Sequence, residues 1–122
     1  MGSSRHRREG GGIVEYDLHP GGARVDDALA MLERIVSAAR SSGPDLFAVI
    51  TGYGSSGGTA KIKSAVLAAC RRYVRQRHIR GFLDGEFAGD VLSPQSLAFP
   101  ASGRLPASCR RSPNPGVVYI CV

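Results

Sequence analysis

Asp17 and His19 stand two apart at the end of an apolar run, so on a strand both side chains leave the same face. A carboxylate beside an imidazole raises the imidazole's pKa from about 6.5 toward neutrality, which suits it to general acid/base work. Either group can also hold a divalent cation such as Mg2+ or Mn2+, although nothing in the sequence fixes a metal. The plainer alternative is that Asp17 caps the following turn and His19 is a polar residue at a strand exit.

The second stretch, Thr51-Gly52-Tyr53-Gly54-Ser55-Ser56-Gly57-Gly58, follows another apolar run and precedes a helical pattern. Glycines there leave backbone N–H groups unshielded at the positive end of a helix dipole, an arrangement that binds phosphate oxygens. Thr51, Ser55 and Ser56 add hydroxyl donors, Lys61 and Lys63 add charge one turn on, and Tyr53 can stack on a base or pack on the sheet. Thr59 reads as the natural N-cap of the helix that follows. Gly52, Gly54 and Gly57 satisfy the spacing of a dinucleotide-binding fingerprint. Yet they lie in the second strand-helix unit, no acidic ribose partner follows in a wholly basic stretch, and the chain is too short for two mononucleotide halves. No Gly-Lys-Ser/Thr closes the loop, so it is not a Walker A sequence. Phosphate binding remains.

Both stretches must be positioned by strands running in the same direction. Ile13 to Leu18 alternates as a strand with one apolar face, and Leu46 to Ile50 is a continuous apolar run suited to a strand buried on both faces. Between them, Val25, Ala28, Leu29, Leu32, Ile35, Val36 and Ala39 fall on one stripe at helical period, ended by Ser41-Ser42-Gly43-Pro44. A second helix is expected from Ala60 to about Arg77, with Arg71 and Arg75 opposite its apolar stripe. Ile79 to Leu83 and Val117 to Val122 read as the last strands. The expected fold is α/β in the α+β, two-layer sense: β-α-β-α-β-β with a small mixed sheet and both helices on one face. Parallel strands would put Asp17, His19 and the glycine loop at one sheet edge, where such sheets bind ligands.

The chain has 122 residues, enough for one domain over residues 13–122, with Met1 to Gly12 read as a basic flexible tail whose Met-Gly-Ser-Ser start resembles an expression leader. Residues 84–113, rich in Ser, Pro, Gly and Ala, are expected as a long loop or a flap over the cleft. No apolar run approaches the roughly 20 residues a bilayer span needs, and the start lacks a secretory core. The chain therefore reads as cytoplasmic with no membrane partner. Cys70, Cys109 and Cys121 are an odd count without a C-x-x-C pair, against a disulfide framework or a thiolate zinc site. A net charge of +6 includes seven basic and no acidic residues from Lys61 to Leu83, a field that attracts polyanions. By itself that run could equally be a solvated helix face.

Taken together, these motifs resemble the Smr (small MutS-related) domain, whose members carry an acidic-Leu-His motif on the first strand and a Thr-Gly-x-Gly loop after the second. Here those are Asp17-Leu18-His19 and Thr51-Gly52-Tyr53-Gly54, and the likeness extends to Lys61-Ile62-Lys63-Ser64-Ala65-Val66 and to the closing Asn114-Pro115-Gly116-Val117-Val118-Tyr119-Ile120. The resemblance implies a fold like the C-terminal domain of a bacterial translation initiation factor. It also implies binding to DNA or RNA backbone, and in several members nicking or cutting of either. By the same analogy Asp17 and His19 form the activating pair, while Thr51 to Gly54 hold the phosphate. Pro20 stands where the family usually has glycine, and Ser55-Ser56 where many members have His-Ser. An Smr-like endonuclease, a non-catalytic nucleic-acid or ribosome-associated module, and a small-molecule nucleotide binder are the three readings these residues allow.

Overall fold

The computed structural model describes residues 7–10, 13–18, 24–52 and 57–122. His19, Pro20 and Tyr53 to Ser56 lie outside them.

Within the described residues a five-stranded sheet forms from β1 (Arg7–Gly10), β2 (Ile13–Asp17), β3 (Leu46–Ile50), β4 (Gly81–Asp84) and β5 (Val117–Cys121), in the order β1-β2-β3-β5-β4. Parallel pairing joins β2 to β3, and β5 fits between β3 and β4, antiparallel to both. Helix α1 (Val25–Ser41) connects β2 to β3, and α2 (Gly57–Arg75) connects β3 to β4. The class is α+β with a mixed sheet, as the periodicities imply.

Helical period decides what α1 buries: Ala28, Leu32, Val36 and Ala39 recur every three or four residues, with Asp26 and Asp27 at the positive end of the dipole and Arg40 at the negative. On α2 the matching stripe is Ile62, Val66, Ala69, Cys70 and Tyr73, while Arg71 and Arg75 are exposed as expected. Both stripes pack on the sheet face that carries Phe47, Val49, Val118 and Ile120, so the two helices share one side. Because α2 already begins at Gly57, Thr59 sits inside the helix and is not its cap.

Two sequence readings need correction. Residues 7–10 are not part of a loose tail: Arg7–Gly10 pairs antiparallel with β2, from Arg7 beside Tyr16 to Gly10 beside Ile13. Residues 84–113 are not a flap over the strand ends. They form 3-10 turns at Gly85–Phe87 and Ser102–Arg104 and short helices α3 (Pro94–Ala98) and α4 (Ala107–Arg111). Phe99, Ala101 and Leu105 from this segment pack against Ala48, Leu83, Val117, Tyr119 and Cys121 on the second sheet face. Local hydrogen bonds fix its turns. The Ser93 hydroxyl caps α3 by accepting from the Ser96 N–H at 3.1 Å, and the Ser96 hydroxyl donates to the Phe87 carbonyl at 3.1 Å. Outside, Arg104 clamps Asp45 through two hydrogen bonds at 3.0 and 2.7 Å. With both faces covered, all five residues of β5 are buried.

Candidate functional site

Because β2, β3 and β4 run the same way, their carboxyl ends form one rim with the start of β5. Asp17 is beside Ile50, Ile50 is beside Val117, and Asp84 is beside Val118. One further ladder bond, from the Leu18 N–H to the Ile50 carbonyl at 2.9 Å, carries the pairing past Asp17 toward the turn at Thr51. Asp17 is half-buried and Leu18 fully buried, so the acid stands at the surface on a rigid base. Its sequence partner His19 lies outside the described residues, as do Tyr53, Gly54, Ser55 and Ser56 of the glycine loop.

The floor of the rim is knit from three turns. Thr51 and Gly52 both donate their N–H groups to the Gly116 carbonyl, at 2.8 and 3.2 Å. The Gly116 N–H donates to Asn114 Oδ1 at 2.8 Å, and the Asn114 N–H to the Gly85 carbonyl at 3.2 Å. Gly52 has φ of 87°, a left-handed conformation natural to glycine. A Cβ on Gly116 would stand 3.1 Å from the Gly52 carbonyl group, tighter than ordinary contact, so the two turns approach as closely as their backbones allow.

Thr51 does not fit the role of a direct phosphate ligand. It is 0% exposed, and its hydroxyl donates to the Gly116 and Gly52 carbonyls, each at 3.3 Å. Its work is to hold the turn that leads into α2. Lys63 also departs from the simple expectation of a lysine waiting for phosphate. Its Nζ lies 3.1 Å from Asp84 Oδ1 and 3.6 Å from Glu86 Oε1, with both the Lys63 and Asp84 side chains largely buried. Lys61, two residues earlier, is exposed and makes no ion pair among the described residues. Gly57 opens α2, whose first turn holds no acidic residue.

Asn114, Gly116, Asp84 and Glu86 are rim residues that reasoning from sequence did not single out as such. Asn114-Pro115-Gly116 before an apolar run is a turn signature, and Asp84-Gly85 at a strand end is another. The Asp84 carboxylate accepts from the Glu86 N–H at 3.0 Å, the bond expected of an aspartate starting a turn. Among the described residues no three His, Cys, Asp or Glu side chains cluster as a metal site, and no helix is long and apolar enough to cross a membrane.

Comparisons with protein-family models, with curated proteins and with solved structures return no match. A strand-end acid can orient a water, while the amides of Thr51 and Gly52 in the adjacent turn are committed to the Gly116 carbonyl.

Proposed function

We propose that this chain is an Smr-like nucleic-acid-binding module that takes the phosphate backbone of DNA or RNA at its strand-end rim and cleaves it as an endonuclease. The observation that carries the reading is the parallel register in which Asp17 ends β2 beside Ile50, one residue before the Thr51-Gly52 turn into α2. In this reading the amides of Tyr53 to Gly57 and the Lys61 ammonium bind phosphate. His19 takes the proton of the attacking water, and Asp17 orients the imidazole or holds a Mg2+ or Mn2+ ion.

Binding and cleavage are measured separately. Affinity for short DNA and RNA duplexes should fall linearly on a log-log scale with salt, because basic side chains displace counterions from phosphate. Nicking of supercoiled plasmid, or cutting of RNA, with Mg2+ or Mn2+ should vanish in Asp17→Ala and His19→Ala while affinity stays nearly unchanged. A parent protein that binds but never cuts would leave the non-catalytic module as the reading. No salt-sensitive binding at all would end both.

A further inference from the structure

The opposite end of the sheet carries a second feature, built independently of the rim. Where α1 and α2 end and the chain enters β4, Arg40, Arg77, His78 and Arg80 line an open cleft of about 720 Å³. Val74 and Pro100, both exposed, supply apolar surface beside the cations, while Ile79 below them is only 4% exposed. That volume falls within the roughly 300–1,000 Å³ of small-molecule sites, and apolar walls with a few charged groups are their usual lining.

Cations are common at helix C-termini, where they offset the dipole, and Arg40 in the last turn of α1 fits that role. Arg80 does not, since it lies five residues beyond the end of α2. Arg77 has φ of 62°, the left-handed conformation in which a helix usually ends on glycine. The His78 N–H then closes the helix on the Tyr73 carbonyl at 2.9 Å. A glycine would serve that stop with less strain, so Arg77→Gly removes the guanidinium without removing the helix stop.

The charge balance of the cleft is positive. Among the described residues, no carboxylate pairs with the guanidinium of Arg40, Arg77 or Arg80. The acid that lines the cleft, Asp45, is already neutralised by Arg104. Against three arginines stand two helix ends of about half a negative charge each. An excess of about two positive charges remains without counting His78. A lone phosphate would leave the apolar wall exposed, whereas a planar base on that wall would place a phosphate chain among the arginines, whose forked donors match phosphate oxygens.

We propose that this cleft binds a nucleotide carrying two or three phosphates, with its base against Val74 and Pro100 and its phosphates on Arg40, Arg77 and Arg80. The site does not rest on the rim reading.

Calorimetric titration of the full chain with ADP, adenosine, pyrophosphate and a single-stranded decanucleotide tests it. ADP should bind at least about tenfold more tightly than adenosine or pyrophosphate, since it alone engages both halves of the cleft. Arg80→Gln should weaken ADP about tenfold. Arg77→Gly should do the same while raising the melting temperature, which separates loss of a ligand contact from loss of fold. Asp17→Ala and Lys61→Gln should leave ADP affinity unchanged, so a failure of the rim reading would not touch this result. The proposal is overturned by absence of ADP binding at about 5 mM, or by ADP affinity indifferent to both arginine changes. Equally fatal is a decanucleotide that binds through Arg77 and Arg80 while ADP does not, which would make the cleft part of a nucleic-acid path.

Discussion

The Gly116 carbonyl oxygen accepts from both the backbone N–H and the hydroxyl of Thr51, at 2.8 and 3.3 Å, in a spot with no solvent exposure for Thr51. Thr51→Val keeps the shape and the backbone bond and removes only the hydroxyl. The expected cost is about 1 kcal/mol, seen as a fall of roughly 3–5 °C in melting temperature, with nucleic-acid affinity changed less than about twofold. A hydroxyl that touched phosphate would give the reverse pattern, an affinity loss with little change in stability.

Two lysines two residues apart on α2 should behave differently. Lys61 is exposed and available to a polyanion, so Lys61→Gln should make the log-log salt slope of binding shallower by about one. Lys63 is held by Asp84 and Glu86. Removing its charge in Lys63→Gln leaves two rim carboxylates without their cation and should lower both stability and affinity, while leaving the slope nearly as it was. Equal slope changes for the two variants would mean that Lys63 leaves its acids when nucleic acid binds.

Much of this architecture is written in side-chain period. The stripe from Ala28 to Ala39 and the run from Leu46 to Ile50 each report how many faces they bury, and the structure places both accordingly. The strand ends that bring Asp17 beside the Thr51 turn follow from the same reading. Other features leave no such trace. Arg7–Gly10 has no apolar alternation, because an edge strand can form from backbone pairing alone. Phe99 and Leu105 stand in a segment rich in Ser, Pro and Gly with no sustained apolar period, and five-residue helices are too short to show a stripe. Whether Thr51 faces phosphate or protein, and whether Lys63 has a partner, depends on where β5 and β4 come to rest. Those placements join residues distant in sequence, such as Thr51 with Gly116 and Lys63 with Asp84.

If residues 84–113 cover the sheet, their anchors should matter as much as core residues. Phe99 is 3% exposed and packs in the second-face core with Leu105. Phe99→Ala should cost about 3–4 kcal/mol through lost burial and the cavity it leaves, measured by urea denaturation. The cover segment should also resist proteolysis in the parent at concentrations that cut it in the variant. Ready cleavage of the parent within this segment, with the rest of the chain still folded, would show that the segment is not held to the sheet.

The buried thiols set how the fold responds to alkali. Burial among the α1 and α2 side chains pushes the Cys70 thiol from its ordinary 9.0 up to about 12, with Arg71 drawing it slightly back. Tyr119 and Cys121 are raised as well, burial being the largest cause for each, joined at Tyr119 by the contact with Cys109. Between about pH 9 and 12 the unfolded chain releases the Cys70 proton while the folded chain keeps it. Unfolding is then favoured as pH rises through that window, whereas below 9 the contribution to stability is fully present. Urea midpoints should therefore be insensitive to this thiol from pH 7 to about 8.5 and decline above pH 9. Cys70→Ala should start from a slightly lower midpoint, because a small cavity replaces the sulfur, but show a shallower alkaline decline. Cys70 in the folded parent should resist alkylation at pH 8, since it is both buried and protonated there. An alkaline slope identical in parent and variant would remove Cys70 from the account and leave Tyr119 and Cys121 to carry it.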